Sequence, residues 1–348
     1  MRSLVFHGPR SIGVEETPDP APATGEVLLS IRATGICGSD LHGYTGENGR
    51  RHAGQVMGHE TVGHVRGGDP DTLTAAGLSL GEAVTVNPVI GCLSCESCLD
   101  GAEQACPDRR VIGVDPTISS AFADFMVVPA RNAVALPSGM PEEHGALVEP
   151  LAVGYHAARR GRCSPGEVVL VLGGGPIGQA CVLAARRCGA ERILVSEPDE
   201  HRAALVSALG ADTIDPRAEN VAESSKRLLG RPATLVLDAV GSSTTLGDAL
   251  AASARAARVV LVGMNEPDVA LSAYAISTAE RELIGAFCYS RDDFASTASW
   301  AGTAGEYLDR LVDGRVGWDG AAGAFADLAS GTSSASKVLV LPDDRGEQ

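Results

Sequence analysis

The sequence contains no run of about 18 apolar residues, so it predicts no membrane-spanning helix. Its first ten residues, MRSLVFHGPR, lack the apolar core of a secretion signal. Basic residues are scarce as well, because 28 Lys and Arg stand against 44 Asp and Glu, for a net charge of −16. An acidic surface repels nucleic acid and anionic membranes. These absences predict a cytoplasmic globular protein that binds neither.

Cysteines, by contrast, are plentiful: there are nine, and four of them stand within residues 92–106. In a chain without a secretion signal, such a cluster indicates metal binding rather than a disulfide framework. Four thiolates fill a tetrahedral zinc site completely, which predicts a structural zinc. The predicted ligands are Cys92, Cys95, Cys98 and Cys106. We expect the isolated cysteines, Cys163, Cys181, Cys188 and Cys288, to pack in the core.

Residues 168–197 read as a strand, a glycine turn, a helix and a second strand that ends on Glu197. The turn fits G-x-G-x-x-G, in which the glycines allow a tight bend, the approach of a pyrophosphate and close packing of the helix. The predicted cofactor-binding residues are Gly173, Gly175, Pro176, Ile177, Gly178, Glu197, Arg202 and Val240. A carboxylate at position 197 accepts hydrogen bonds from the ribose hydroxyls of NAD and repels the 2′-phosphate of NADP. NAD is therefore favoured over NADP. Arg202 would weaken that preference unless it is only a solvated helix charge.

The chain is long enough for two domains. Residues 1–152 are broken by Gly and Pro into short strand-like segments, with little helical periodicity before about Glu142. Residues 153–289 alternate strands with helices, which predicts a doubly wound parallel sheet. Residues 290–348 end in the strand-like KVLVLP and are expected to return to the first domain. The fold class is therefore α/β, with a β-rich domain beside a Rossmann domain.

A second set of possible metal ligands is spread over three segments. GICGSDLH carries Cys37, Ser39, Asp40 and His42; GHETVGH carries His59, Glu60 and His64; LVEPLAVGYH carries Glu149 and His156. A catalytic zinc needs a few such ligands and one open position. Composition alone does not choose among these residues.

These segments resemble the zinc-containing medium-chain dehydrogenase/reductase family. GICGSDLH, GHETVG, the cysteine cluster, VEPLAVG and GGGPIG occur in the family's order and cover essentially the whole chain. The resemblance implies a GroES-like catalytic domain, with a structural zinc lobe at about residues 88–110, and a Rossmann domain. It also implies two zinc ions per chain.

The resemblance also implies roles for individual residues. Cys37 and His59 would bind the catalytic zinc, and Glu60 would bind it or exchange with water there. Glu149 stands where classical alcohol dehydrogenases of the family have a cysteine, and the form VEPLAVG resembles the polyol, butanediol, threonine and sugar dehydrogenase branch. Ser39 and His42 have the spacing of the family's proton relay. Asp40 would fix this loop.

The implied function is transfer of hydride between NAD and a secondary alcohol of a polyol, diol, sugar or cyclitol, with the alcohol or ketone as the small-molecule partner. The alternatives are an amino-alcohol dehydrogenase of the threonine type, an NADPH-dependent aldehyde reductase, and a non-catalytic zinc- and nucleotide-binding sensor. An apolar strand at 282–287 would lie at an open sheet edge, which predicts a homodimer or homotetramer.

Overall fold

The structure, a computed structural model, describes residues 1–47, 49–333 and 335–342 of the chain. They form two units. The first comprises Met1–Glu149 and the described residues from Ser290 onward, and the second is Pro150–Tyr289. The sequence placed these divisions at 152/153 and 289/290.

The first unit is built mainly of short strands, numbered here along the whole chain. They are β1 (Arg2–Gly8), β2 (Ser11–Glu16), β3 (Glu26–Gly35), β4 (Gln55–Val56), β5 (Glu60–Gly68), β6 (Ala83–Val86), β7 (Val89–Ile90), β8 (Arg110–Val111), β9 (Phe125–Pro129), β10 (Ala133–Ala135), β17 (Gly314–Val316) and β18 (Val338–Val340). The principal sheet has the order β10-β6-β5-β3-β18-β17, with β9 also paired to β3. The C-terminal segment therefore does return to this unit, through β17 and β18.

Two pairings of β3 position the chemistry of this unit. β3 and β5 run antiparallel with Gly35 opposite Glu60, so residues just after β3 lie beside residues at the start of β5. A Cβ at position 35 would lie 2.2 Å from Oε2 of Glu60, so glycine there lets the carboxylate lie against the strand. β18 pairs on the other side of β3, with Leu339 opposite Gly35. Three distant parts of the chain thus meet at one end of β3.

The first unit contains more helix than the sequence predicted. Besides α10 (Arg291–Ala301), α11 (Gly305–Leu308) and α12 (Trp318–Ser330), it has α1 (Gly38–Thr45), α2 (Pro70–Ala76) and α3 (Glu96–Leu99) before residue 142. These early helices are too short to show a 3.6-residue period. Their signals are at the ends: Asp69 caps α2 through the N–H of Thr72, and Gly77 ends it with a φ of +67°.

Aromatic packing holds α12 against α1 and the segment before β9. Phe325 is fully buried and meets Phe122 edge-on at 5.4 Å and Tyr44 at 5.6 Å between ring centroids. Each such pair adds about 0.5–1.5 kcal/mol beyond the area it buries. Because Tyr44 lies on α1, this cluster also fixes the helix that follows Cys37.

The second unit is the predicted Rossmann sheet. Its strands are β11 (Val168–Leu172), β12 (Arg192–Ser196), β13 (Asp212–Ile214), β14 (Ala233–Asp238), β15 (Ser253–Leu261) and β16 (Glu282–Gly285). All pairings are parallel, and the order β13-β12-β11-β14-β15-β16 is 3-2-1-4-5-6 within the unit. Chain order reverses between β11 and β14, which is where such sheets bind nucleotides.

Helices cover both faces of this sheet, so β11 is buried along its whole length. They are α4 (Val148–Arg160), which begins two residues before the unit, α5 (Pro176–Arg187), α6 (Glu200–Ala208), α7 (Val221–Leu229), α8 (Ser243–Ala252) and α9 (Ala273–Ser277). Truncating Leu170, which is fully buried in β11, to alanine would cost about 2–5 kcal/mol. Among the described residues, no helix is both long enough and apolar enough to cross a membrane.

Candidate metal centres and cofactor site

Three of the predicted zinc ligands meet at the end of β3. Cys37 precedes α1, and His59 and Glu60 stand at the start of β5. One ligand atom from each lies within 4.8 Å of the others. We call these three residues the Cys37 cluster. The β3–β5 register brings them together although 22 residues of sequence separate Cys37 from His59.

Glu149 lies in the first turn of α4, is almost fully buried, and is outside the group of three that approach within 4.8 Å. Its charge nevertheless acts on His59 and on Lys337. The structure therefore places Glu149 beside the Cys37 cluster but outside it.

Two buried cations accompany the cluster, and sequence reasoning missed both. Nζ of Lys337 lies 2.5 Å from Oε2 of Glu60 and also donates to the carbonyl of Ile36, at 3.3 Å. Arg51 lies 3.9 Å from Oδ1 of Asp40. Lys337 is 277 residues from Glu60 in sequence, so no local pattern connects them. The pairing of β18 with β3 does so.

The charges of this region fit a divalent cation. If Cys37, Asp40, Glu60 and Glu149 are ionised and His59 is neutral, as in a metal-bound state, they carry four negative charges. Arg51 and Lys337 then return two positive ones. A buried net charge of this size is costly unless it is compensated. The thiolate, imidazole and carboxylate of the cluster are the ligand types that zinc prefers, and a zinc ion would bring the sum to zero.

Atoms left without partners point the same way. Among the described residues, Oδ1 of Asp40 and Nδ1 of His59 are buried and have no hydrogen-bond partner, and they lie 3.7 Å apart. Burial disfavours the charged imidazole, but Asp40 and Cys37 outweigh it and hold the pKa of His59 well above its usual value. The negative charges of Asp40 and Cys37 also favour binding of a metal ion to the imidazole of His59. A small ring movement would then let Nδ1–H donate to Asp40, which orients many metal-bound histidines.

The predicted proton relay lies on α1. Ser39 is partly exposed, and His42, half exposed, shares a hydrogen bond of 2.9 Å with Oε2 of Glu47. That hydrogen bond, more than their charge attraction, holds the pKa of Glu47 below its usual value. Sequence reasoning did not include Glu47. Its carboxylate lies on the solvent side of the predicted relay and is 63% exposed.

The four clustered cysteines are brought together by one short loop. Their sulfurs lie within 4.8 Å of one another, and the segment that carries them includes α3 and a 3₁₀ turn at Glu103–Ala105. Backbone N–H groups point at the sulfurs, as in the 3.4 Å contact from Cys95 N to Cys92 Sγ. Such N–H donors, chiefly that of Ser94, lower the pKa of Cys92 to about 6. We call this segment, residues 91–106, the cysteine lobe.

Glu103, a residue that the sequence did not single out, anchors the cysteine lobe. It is 5% exposed, accepts the N–H of Gly91 at 3.4 Å and pairs with Arg291 of α10 at 2.6 Å. Arg291 also donates to the carbonyl of Arg131. The lobe is therefore tied to the rest of its unit by a charged hydrogen bond.

In the second unit, the glycine turn has the predicted form. Gly173 has a φ of +90°, which favours glycine, and a Cβ at 178 would lie 1.8 Å from the carbonyl oxygen of Gly173. A Cβ at Gly175 would meet no atom of the described residues within 4 Å, so the backbone at this turn leaves room for a ligand. Pro176 is the first residue of α5, where its missing N–H costs little, and Ile177 follows it.

Glu197 comes directly after β12 and lies beside this turn. It is 5% exposed and accepts the N–H of Gly174 at 2.6 Å and that of Asp199 at 2.8 Å. Val240 closes the other side, 2.7 Å from where a Cβ of Gly173 would stand. Arg202 is exposed on α6. The turn, the acid and Val240 thus surround the point where strand order reverses, and Arg202 lies at its periphery.

Together the units define a class: an oxidoreductase that combines zinc ligands on a β-rich unit with a dinucleotide-binding sheet. Comparison with known proteins narrows the class. The family model for the alcohol dehydrogenase GroES-like domain matches residues 23–138, and that for zinc-binding dehydrogenases matches residues 176–302.

Named relatives cover most of the chain. A 2-dehydro-3-deoxy-L-galactonate 5-dehydrogenase of Pseudoalteromonas atlantica is 34% identical, over 84% of this chain and 85% of the relative. A sorbitol dehydrogenase of Bacillus subtilis is 31% identical over 83% of each. The chain belongs to the zinc-containing alcohol dehydrogenase family, and it is an oxidoreductase that uses zinc and a nicotinamide cofactor on CH–OH donors.

Solved structures agree with this fold. An Escherichia coli protein described as a short chain alcohol dehydrogenase, in complex with NADH, superposes with a TM-score of 0.89 at 26% identity, covering 98% of this chain and 99% of that one. A zinc-binding dehydrogenase of Sinorhizobium meliloti bound to NADP gives 0.88 at 27% identity, with the same coverage.

Proposed function

We propose that this protein oxidises a secondary alcohol of a polyol, sugar or sugar acid with NAD, and reduces the corresponding ketone in reverse. The buried, charge-matched Cys37 cluster carries the proposal, because a purely structural or sensory protein does not need it. The substrate class follows from the relatives, whose names specify sorbitol and a deoxygalactonate. A diol or cyclitol belongs to the same chemistry.

In the proposed mechanism, Cys37, His59 and Glu60 hold the zinc ion, with Glu149 beside them. When bound, the zinc acts as a Lewis acid on the substrate hydroxyl, and the nicotinamide takes up the hydride. Ser39 accepts the hydroxyl proton, and His42 passes it on. Glu47, hydrogen-bonded to His42, then delivers it to water. An imidazole suits this role because its usual pKa lies near 6.5.

We propose that Oε1 is the oxygen of Glu60 that would hold the zinc, because Lys337 engages Oε2. Glu149, outside the group of three, would be the alternative carboxylate ligand. The cysteine lobe would hold a second, structural zinc, because four thiolates leave no position for substrate.

NAD is the proposed cofactor because Glu197 lies beside the glycine turn, where a 2′-phosphate would meet its charge. The NADP-bound relative shows that the fold accepts either cofactor, so the residues at this position decide. Glu197→Ala should raise the KM for NAD and lower that for NADP. An unchanged ratio of the two KM values would show that Glu197 does not select the cofactor.

A homodimer or homotetramer is proposed from the second unit. β16 stands at the edge of its sheet, and Met264 and Tyr274 are more than two-thirds exposed. Open edges and exposed apolar side chains favour pairing. Sedimentation that shows only monomer would exclude this. A cytoplasmic location is proposed because nine free cysteines persist in a reducing compartment.

The test is NADH formation from a panel of polyols, diols, cyclitols, aldoses, sugar acids and amino alcohols, each with NAD and with NADP. Turnover of a polyol or sugar acid with NAD supports the proposal. Turnover of threonine alone would show that the substrate is an amino alcohol and not a polyol or sugar. Turnover with NADP alone would show that the cofactor is NADP and not NAD. If the protein holds only one zinc and turns over no substrate, it is better explained as a non-catalytic zinc- and nucleotide-binding sensor.

A further inference from the structure

The sequence predicts that Cys163 and Cys188 pack in the core as isolated cysteines, but both are partly exposed and they are neighbours. Cys163 lies in the loop between α4 and β11, and Cys188 follows directly after α5. The two loops run side by side: the N–H of Gly166 donates to the carbonyl of Gly189 at 3.3 Å, and that of Glu191 to Glu167 at 2.8 Å. Sequence separation concealed a contact that the βαβ crossover creates.

The same contact between the loops brings the two thiols near each other. A Cβ at Gly189, next to Cys188, would lie 3.2 Å from Cγ of Pro165, two residues after Cys163. Both cysteines are free and partly exposed, and each sulfur interacts with the other. Neither belongs to a group of metal ligands among the described residues. Cys181, on the same helix as the residues before Cys188, is fully buried and is the natural comparison.

We propose that Cys163 and Cys188 are a modification site: an oxidisable dithiol that peroxide converts to a disulfide. The Cys188 thiolate attacks one peroxide oxygen, the O–O bond breaks, and water leaves after protonation. The Cys163 sulfur then attacks the Cys188 sulfenic acid, forming the S–S bond and releasing a second water. Two thiols lose two electrons, and one peroxide becomes two waters. A dithiol reductant restores the pair.

The surroundings assign the two roles. The hydrogen bond from Cys163 lowers the pKa of Cys188 to about 7, against the effect of burial and with help from Arg187 and Arg159. The same hydrogen bond raises the pKa of Cys163. The thiolate is the reactive form of cysteine, so Cys188 reacts first and Cys163 resolves the product.

The site is separate from the redox chemistry of the enzyme. Cys188 lies beyond the C-terminal end of α5, whereas the glycine turn lies at its N-terminal end. The disulfide would fasten the end of this helix to the loop before β11 and leave the turn unchanged. Oxidation of this pair therefore preserves NAD binding.

The experiment treats the zinc-loaded full-length protein with hydrogen peroxide, alkylates the remaining thiols and digests with trypsin. Cleavage after arginines separates residues 163–186 from residues 188–192, so the disulfide joins two distinct peptides. We expect this linked pair, with Cys163 as the bonded residue and Cys181 still a thiol, and its disappearance after dithiothreitol.

Matched variants separate the roles. Cys163→Ser should abolish the link and leave a sulfenic acid at Cys188 that dimedone traps. Cys181→Ser should leave the link intact. The proposal is overturned if both cysteines remain alkylatable while other thiols oxidise, if the link runs to Cys181, or if Cys163→Ser does not increase trapping at Cys188.

Discussion

The Cys37 cluster and the cysteine lobe lie in the same unit and both use cysteine sulfur, but their construction differs. The cluster gathers residues from the start of α1 and the start of β5, and Lys337, just before β18, compensates its carboxylate. Arg51 compensates the neighbouring Asp40. The lobe takes all four sulfurs from residues 92–106 and surrounds them with backbone N–H groups. A catalytic centre must be held from several directions and keep a position open. A structural centre can be local and closed.

Replacing Cys37 by serine should have the largest effect. Loss of a thiolate ligand removes the Lewis acid from the reacting hydroxyl, so kcat/KM should fall by at least about a thousandfold. Because the lobe is untouched, the thermal transition should remain cooperative. Steady-state NADH formation and calorimetry measure the two effects, and substantial turnover in this variant would show that the cluster is not the catalytic centre.

Lys337→Met should leave Glu60 buried without its partner and cost about 3–5 kcal/mol of unfolding free energy. The double variant with Glu60→Gln should recover most of this loss. Denaturant unfolding measures the unfolding free energy of the single and the double variant. If both lose the same free energy, the Lys337–Glu60 ion pair does not contribute to stability.

The pair also sets a pH dependence. Although burial opposes the charge, Glu60 holds the pKa of Lys337 above its ordinary value of 10.5. The stabilisation is therefore fully present below pH 10.5 and is lost as the pH rises through the raised value. The stability difference between wild type and Lys337→Met should shrink only in that alkaline range.

Cys98→Ser should act mainly on stability. A three-ligand lobe binds zinc weakly, and its loss should lower the unfolding free energy on the order of 3 kcal/mol. The folded fraction should keep kcat/KM within about tenfold of wild type, which is 1.4 kcal/mol. The matched comparison is Cys37→Ser, which should lower turnover rather than stability. A thousandfold loss of turnover with unchanged stability would contradict the structural role of the lobe.

His42→Ala should slow turnover near neutral pH by about ten- to a hundredfold and change the pH profile. Added imidazole buffer should restore part of the rate, since it can replace an exposed proton carrier. Glu47→Gln should give a smaller loss in the same direction. A pH profile identical to that of wild type would exclude the relay.

The smallest effect is expected beside the lobe. Asp115 accepts hydrogen bonds from Thr117 and Arg110, which lower its pKa to about 2. Its stabilisation is present above its ordinary pKa and is lost as the pH falls towards 2. At a partly exposed site Asp115→Asn should cost under about 1 kcal/mol at neutral pH. Acid titration of stability tests this, and a loss comparable to that of Lys337→Met would contradict the distinction between surface and buried pairs.

Local pattern accounts for what the sequence could predict. The glycine turn, the cysteine lobe and the order of strands and helices in the Rossmann unit each depend on nearby residues or on regular alternation. Cys37, His59 and Glu60 came from resemblance to a family, because only the β3–β5 register unites them. Lys337, Arg51 and the Cys163–Cys188 pair had no local signal. α1 and α2 were missed because two turns are too short to show a period.

Zinc content in three proteins distinguishes the catalytic from the structural metal site. Elemental analysis of wild type, Cys37→Ser and Cys98→Ser is combined with measurement of turnover. We expect two zinc ions per wild-type chain and one in each variant, with activity retained only in wild type and Cys98→Ser. One zinc in wild type, or activity in Cys37→Ser with a single zinc, would show that the Cys37 cluster is not a catalytic zinc site.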